Sequence, residues 1–152
     1  MIPVLISACL LGQCCRYDGQ TKEYPSIAPL IVAEGIQLIP VCPEQMGGLA
    51  TPREPAEQSD GRVVTATGTD VTRQYNSGAG QVLRLAKLFH CRWAVLKEKS
   101  PSCGCGRIYD GTFSRHLVAG DGVTAHLLQQ SGLHIVGETD EAGLQRLLEL
   151  DQ

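Results

Sequence analysis

Cysteine residues are the side chains of this sequence best suited to chemistry, and three of them occupy the same kind of position. Each comes at or just after the end of a short run of strand-forming apolar residues: Cys9 after Ile2–Ile6, Cys42 after Ile36–Val41, and Cys103 in the loop after Trp93–Leu96. The carboxyl ends of parallel strands in an open α/β sheet meet at one crevice, where ligands bind. The three thiols are therefore expected to meet in space, and that arrangement suits a metal or cluster site better than a disulfide.

Three kinds of thiol site are open on the sequence alone. Structural zinc is usually held by four ligands, with cysteines paired two to four residues apart, whereas this chain offers the adjacent Cys14 and Cys15 and a Cys103-Gly-Cys105 segment. A thioredoxin-like redox site needs Cys-x-x-Cys at the start of a helix, and the sequence contains no such tetrapeptide. An iron–sulfur cluster is normally held by four thiolates, so three converging cysteines would leave one iron open to substrate.

Two polar residues close to these cysteines favour catalysis over simple metal binding. Glu44 lies two residues after Cys42, and Ser100 lies three residues before Cys103. Since adjacent Cα atoms are about 3.8 Å apart, both must lie near any site that these cysteines form. A carboxylate beside an open metal position is suited to act as a general base for water. A hydroxyl group relays a proton or donates to a developing negative charge.

The remaining cysteines are interpreted by their surroundings in the sequence. Cys91 lies beside the Trp93–Leu96 run and is predicted to be a buried core residue. Cys14, Cys15 and Cys105 lie beside the proposed ligands, and any of them is a candidate fourth ligand that would close the open iron.

Composition places the chain among ordinary globular proteins and bounds its partners. It has 152 residues, 43% of them hydrophobic and 19% charged, with a formal net charge of −3. Such a length predicts one domain, over 1–152, with a core that needs no crosslinks. The initial apolar run is too short to span a membrane and unlike a signal peptide. Because thiols stay reduced in the cytoplasm, we expect a cytoplasmic protein; its charge gives no general attraction to nucleic acid or membranes.

Alternating strand and helix patterns indicate the fold. Val71, Tyr75, Ala79, Val82, Ala86 and Phe89 recur at intervals of three and four residues and predict an amphipathic helix against a sheet. The prolines between Pro43 and Gly61 predict an irregular segment, and Asp110-Gly111 predicts a hairpin over Arg107–Phe113. We expect an α/β fold, a single-domain, doubly wound (Rossmann-like), mainly parallel sheet with helices on both faces and a small β-hairpin excursion. The predicted elements are strands at Ile2–Ile6, Ile36–Val41, Arg62–Thr65, Trp93–Leu96 and Leu133–Val136, and helices at Ile27–Glu34 (capped by Ser26), about Asp70–His90, Gly122–Gln130 and Asp140–Leu150.

Three segments of the sequence, in the same order, resemble motifs of the TudS-like thiouracil desulfidase family, formerly a domain of unknown function. The segments are S-A-C-L-L-G…C-R-Y-D-G, P-V-C-P-E…G-G-L-A-T-P-R and L-K-E-K-S-P-S-C-G…I-Y-D-G-T-F. The resemblance covers residues 1 to about 140 and implies an α/β fold that holds a four-iron four-sulfur cluster on three cysteines, with the fourth iron open. It implies non-redox desulfuration, in which the thiocarbonyl sulfur of a thiouracil-type base binds the open iron, water attacks the carbon and hydrosulfide leaves. Matched by motif, the ligands would be Cys9, Cys42 and Cys103, and the catalytic residues would be Glu44 and Ser100.

The substrate class and its alternatives follow from this resemblance and from the charges. The alternative function is a non-catalytic cluster- or zinc-binding module, a sensor or sulfur carrier, which would have no use for Glu44 and Ser100. Cluster-assembly machinery is expected as a transient partner.

Basic residues near the predicted crevice suggest an anionic substrate such as 4-thiouridine monophosphate, although they would equally offset a negatively charged cluster or lie in solvent. Polymeric RNA is disfavoured because no long basic run with interleaved aromatic residues exists. These basic residues are Arg16, Lys22, Arg53, Lys97, Lys99 and Arg107, of which Arg16, Arg53, Lys97 and Lys99 are the candidate substrate contacts.

Overall fold

The computed structural model describes residues 1–151, and a parallel sheet lies at its centre. The strands are β1 (Ile2–Ser7), β2 (Ile36–Val41), β3 (Ala56–Ser59), β4 (Arg62–Thr65), β5 (Trp93–Leu96), β6 (Arg107–Tyr109), β7 (Leu117–Ala119) and β8 (His134–Gly137). The helices are α1 (Ala28–Val32), α2 (Pro43–Met46), α3 (Thr72–Leu88), α4 (Val123–Gln130) and α5 (Glu141–Glu149), with short 3-10 turns at Ala8–Leu11 and Pro25–Ile27. None of these helices is long and apolar enough to cross a membrane.

The four-stranded central sheet runs in the order β2-β1-β5-β8, and every pairing in it is parallel. Strand β1 is central, and its Val4, Leu5 and Ile6 side chains are fully buried. Burial of each such side chain contributes about 1.5–3 kcal/mol. The chain moves from β1 to β2 on one side and then crosses to β5 on the other, so the order reverses at the carboxyl ends of β1 and β5. Ligands bind at such switch points in open α/β sheets.

Helices cover both faces of this sheet, as the sequence predicts. Core residues of α1 and α5 pack with Val4, Ile6 and Val136 on one face. Core residues of α3 and α4 pack with Leu5, Ala94 and Leu96 on the other. The doubly wound α/β prediction is therefore confirmed, with β3–β4 and β6–β7 as two small antiparallel hairpins outside the sheet.

Three local predictions are wrong. The segment from Pro43 to Gly61 contains α2 and β3, because its prolines lie at the start of α2 and outside the β3–β4 ladder, where they remove no ladder hydrogen bond. The Asp110-Gly111 turn does not close a hairpin within Arg107–Phe113; β6 pairs with residues 117–119 across a longer loop. Ser26 does not cap α1, since its hydroxyl donates to the Glu138 carbonyl at 2.7 Å.

A close contact between two helices fixes the position of α2. The Gly78 backbone in α3 faces the Pro43 carbonyl group, and a Cβ at Gly78 would lie 2.8 Å from the Pro43 carbonyl carbon. Gln81 of α3 adds a hydrogen bond from Nε2 to the Met46 carbonyl oxygen at 2.7 Å. Glycine at this position thus lets the two helices approach closely, and α2 directly follows Cys42.

Candidate cluster-binding and active site

A cavity of about 590 Å³ opens at the carboxyl edge of the central sheet. The structure brings all five residues singled out for cluster binding and catalysis to its wall: Cys9, Cys42, Cys103, Glu44 and Ser100. They arrive on the segments that follow β1, β2 and β5. Sequence separations of 33 and 61 residues between the cysteines are thus closed by parallel strand pairing.

Cys15 lines the same cavity as the first two cysteines. Cys9 lies in the 3-10 turn after β1, and Cys42 directly precedes α2. The thiols of Cys9 and Cys42 both shift the pKa of the Cys15 thiol. The Cys42 Sγ also lies 3.7 Å from the Cys15 carbonyl oxygen. Cys15 is buried and lines the cavity, so it belongs to the same thiol group.

Burial and hydrogen bonding favour the protonated forms of the Cys15, Cys42 and Cys103 thiols. The hydrogen bond to Cys15, together with burial, raises the pKa of Cys42. The hydrogen bond from Cys42 lowers the pKa of Cys15, but its bond to Cys9 and burial outweigh this and raise it to about 11. Burial and the nearby Glu44 raise the pKa of Cys103. Ligands must be deprotonated to bind metal, so metal or cluster binding by these thiols would release protons.

Glu44 lies in the first turn of α2, with a side chain that is 14% exposed. Burial raises the pKa of its carboxyl group, whereas the Arg53 guanidinium opposes that rise. Arg53 Nη2 lies 3.5 Å from Glu44 Oε2 and donates to the Cys15 carbonyl oxygen at 2.9 Å. The Arg53 side chain is only 9% exposed. It therefore joins the loop after β1 to the segment after β2 and holds the carboxylate at the cavity.

Ser100 begins the turn that carries Cys103. Its Oγ accepts hydrogen bonds from the backbone N–H groups of Ser102 at 3.1 Å and Cys103 at 3.0 Å. Since a hydroxyl has one donor and two acceptor sites, the Ser100 O–H is left to donate. Ser7, at the end of β1, accepts the Lys97 N–H at 2.9 Å and also bonds to the Cys103 thiol.

The start of α4 holds the Cys103 turn in place. Val123 and Thr124 donate their N–H groups to the carbonyl oxygens of Pro101 and Ser102, at 2.9 and 2.8 Å. The buried hydroxyl groups of Ser102 and Thr124 lie 2.7 Å apart. These contacts link β5, the turn and α4, so the position of Cys103 depends on three elements that are distant in the sequence.

The other cysteines are distributed as follows. Cys91 is buried in the core beneath α3, as predicted. Cys14 is exposed. Cys105 accepts a hydrogen bond from Gln129 Nε2 at 3.0 Å, and neither Cys14 nor Cys105 lines the cavity. Among the possible fourth ligands suggested by the sequence, Cys15 is the one that lies at the cavity.

The candidate substrate cations all reach the cavity wall, but three of them already pair with carboxylates. Arg16, Arg53, Lys97 and Lys99 line the cavity, while Lys22 and Arg107 do not. Arg16 pairs with Asp18 at 3.4 Å, Arg53 with Glu44 as described, and Lys97 with Glu138 at 2.7 Å. Lys99 is exposed and makes no ion pair within residues 1–151.

Several wall residues were not predicted to be site residues. Tyr17, Tyr75, Tyr109, Phe113 and Arg115 line the cavity, and Tyr75 is 3% exposed. Tyr17, Tyr109 and Phe113 lie within the C-R-Y-D-G and I-Y-D-G-T-F segments, which could have marked them. No sequence signal marked Arg115, because the hairpin was predicted to end at Phe113.

The donor chemistry of the wall fits an iron–sulfur cluster. Cluster irons are held by cysteine thiolates, and the cavity volume lies within the range of about 300–1,000 Å³ that is typical of ligand sites. Within residues 1–151, no three His, Cys, Asp or Glu side chains are grouped to hold a single metal ion.

Comparisons with known proteins show the family to which the chain belongs. The chain is 42% identical over 147 residues to YbbK of Bacillus subtilis (strain 168), an uncharacterised protein, and the match covers 90% of this chain and 96% of YbbK. Its structure is similar, with a TM-score of 0.90 and 44% identity over 99% of both chains, to a 4Fe-4S-dependent thiouracil desulfidase, TudS. Residues 4–140 match the family model for 2-thiouracil desulfurase, which confirms the resemblance seen in the sequence. The chain therefore belongs to the 2-thiouracil desulfurase family.

Proposed function

We propose that this chain removes sulfur from a thiolated pyrimidine without redox chemistry, giving the uracil compound and hydrogen sulfide. The observation that carries this proposal is the meeting of three thiols, a carboxylate and a hydroxyl in one cavity. Family membership supports it. The reaction is of the hydrolase type, because water supplies the oxygen that replaces sulfur. A single desulfidase domain over 1–152 would carry the whole activity.

Cys9, Cys42 and Cys103 would hold a 4Fe-4S cluster as its three protein ligands. When bound, the cluster would supply an iron that lacks a protein ligand and, being soft, prefers a thiocarbonyl sulfur to the oxygen of ordinary uracil. Seven free cysteines, with these three at one cavity, fit a reducing compartment. We infer the cytoplasm, with cluster-assembly machinery as a transient partner.

Glu44 would act as the general base that takes a proton from the attacking water. An ideal catalytic base has a pKa nearer the working pH than an ordinary carboxyl group, and burial raises the pKa of Glu44 in that direction. Arg53 favours the ionised form of the carboxyl group and orients it. Ser100, whose oxygen is engaged by two backbone N–H groups, would donate its proton to negative charge that develops on the substrate.

The substrate would be thiouracil or its nucleotide, 4-thiouridine monophosphate. Arg16, Arg53, Lys97 and Lys99 give the cavity wall a positive component, which favours a phosphate-bearing substrate. A cavity of about 590 Å³ suits a small molecule rather than a polymer.

The test is sulfide release by protein purified and loaded without oxygen. Wild-type protein should contain four irons per chain and release sulfide from thiouracil or 4-thiouridine monophosphate, with loss of both on cluster removal. Single changes of Cys9, Cys42 or Cys103 to Ser should abolish the cluster, whereas Cys14→Ser and Cys15→Ser should retain all four irons. Loss of iron in Cys15→Ser alone would make Cys15 a fourth ligand and contradict the three-ligand site.

Catalysis is separated from cluster binding by Glu44→Gln and Ser100→Ala. Both variants should keep the full iron content and lose turnover by about a hundredfold or more, the usual effect of removing a positioned acid or base. Near-normal turnover in both would reject these two roles.

A further inference from the structure

The loop between β6 and β7 reaches the cavity that holds the three cysteines. Its residues are 110–116, and two of them, Phe113 and Arg115, line the cavity wall together with Cys9 and Glu44. Neither residue belongs to the cluster site or to the acid–base pair. Their side chains therefore face the space left for the rest of the substrate.

The backbone of this loop is held in an uncommon conformation. Phe113 and Arg115 both have left-handed backbone angles, with φ of 57° and 62°. Such angles are rare and unfavourable for residues other than glycine, so they persist where the surrounding structure imposes them, often at ligand sites. Two such residues at one cavity point to a loop shaped by its function.

A buried carboxylate imposes this conformation from the neighbouring hairpin. Glu57 of β3, which is 9% exposed, accepts hydrogen bonds from the N–H groups of Gly111 at 3.0 Å and Phe113 at 3.1 Å. Asp110 closes the loop on itself by accepting from the Thr112 N–H at 2.9 Å and pairing with His116 Nδ1 at 3.0 Å. These hydrogen bonds hold the loop in one conformation and so fix the backbone positions of Phe113 and Arg115.

Arg115 differs from most cations of the cavity wall in its lack of a carboxylate partner within residues 1–151. Arg16, Arg53 and Lys97 are paired with carboxylates of the chain, whereas Arg115 is exposed and makes no ion pair within residues 1–151. Lys99 shares that property, but a guanidinium group binds phosphate with two parallel hydrogen bonds and an ammonium group does not. Arg115 is therefore the cation of the wall best suited to a phosphate.

Phe113 offers an aromatic face to the same space. Its side chain is 37% exposed although it lies at a cavity wall, and Tyr17, from the loop after β1, is 46% exposed at that wall. Aromatic side chains stack on nucleobases, and such contacts contribute measurably to binding. A pyrimidine ring would cover apolar surface that is otherwise in water.

The geometry points to the β6–β7 loop as the specificity element of this site: Phe113 stacks on the pyrimidine ring and Arg115 binds the 5′-phosphate of a thiouridine nucleotide. This assignment rests on the proposed desulfuration and adds to it the residues that would select a nucleotide over a free base.

The test uses asparagine substitutions, because asparagine tolerates left-handed backbone angles better than alanine. With loaded enzyme, Arg115→Asn should raise the KM for 4-thiouridine monophosphate by about tenfold to a hundredfold, the loss of a charge-assisted contact, and leave the KM for thiouracil unchanged. Phe113→Asn should raise both by about fivefold or more. Arg107→Gln, a cation of β6 outside the cavity lining, is the matched control and should change neither.

Binding of uridine monophosphate and of uracil, measured by calorimetry on the same proteins, tests the loop without turnover. Arg115→Asn should weaken only the monophosphate, and Phe113→Asn should weaken both. If Arg115→Asn and Arg107→Gln bind the monophosphate equally, the assignment is overturned even when wild-type enzyme releases sulfide. If the expected binding pattern appears but no sulfide is released, the proposed reaction fails and the loop assignment stands.

Discussion

Replacing Gly78 by alanine should damage the site from a distance, because it pushes α2 away from α3. A Cβ at this position would lie 2.8 Å from the Pro43 carbonyl carbon, and ordinary contact begins at 3.4 Å. The Pro43 carbonyl oxygen lies closer still, so the start of α2 must move by about 1 Å or more, which carries Cys42 and Glu44 with it. Overpacking of this kind costs about 1–3 kcal/mol, partly offset by the gain of about 1 kcal/mol for alanine over glycine in a helix. A misplacement of about 1 Å reduces catalysis by about a hundredfold, so Gly78→Ala should lose about tenfold to a hundredfold in turnover.

Gly80 provides the matched control two residues along the same helix. No atom lies within 4 Å of a Cβ built there, so Gly80→Ala should gain about 1 kcal/mol of helix stability with normal turnover. The measurements are the free energy of unfolding in urea, the iron content and the rate of sulfide release for both variants. Equal behaviour of the two would refute the view that the Gly78 contact positions α2.

Two further predictions concern charge at the site. Arg53 opposes the effect of burial on the pKa of Glu44, so Arg53→Gln should raise the pKa of the carboxyl group further. Because the base must be ionised, the variant should lose activity at a higher pH than wild type as the pH falls. An unchanged acid limb of the kcat/KM profile would contradict this pairing. Wild-type enzyme should also favour 4-thiouridine monophosphate over thiouracil most strongly at low salt, since salt screens exposed charges such as Lys99. A preference that does not change between about 0.05 and 0.5 M salt would count against a phosphate contact.

Local patterns in the sequence determined the frame of this protein. Apolar runs before Cys9 and Cys42 predicted parallel strands, and strand ends in such a sheet share one edge, so the meeting of the cysteines followed from local information and general topology. The periodicity of α3 was also local, and the structure buries Tyr75, Ala79 and Val82 as predicted. Phe89 was predicted on the same face, but it follows the last residue of α3 and is exposed.

Only the tertiary structure determined which residues surround the cysteines in the site. The partner of Gly78 is a helix that lies more than thirty residues earlier in the chain, and no periodicity within α3 could identify it. Arg53 was expected to face an anionic substrate, yet the fold brings it within 3.5 Å of Glu44. The position of Phe113 at the cavity was not predicted, because Asp110-Gly111 is a strong local signal for a tight turn. In the structure the Glu57 carboxylate accepts two N–H groups of the loop and stabilises a longer connection. Contacts of this kind depend on which distant groups become neighbours, and local sequence carries no record of that.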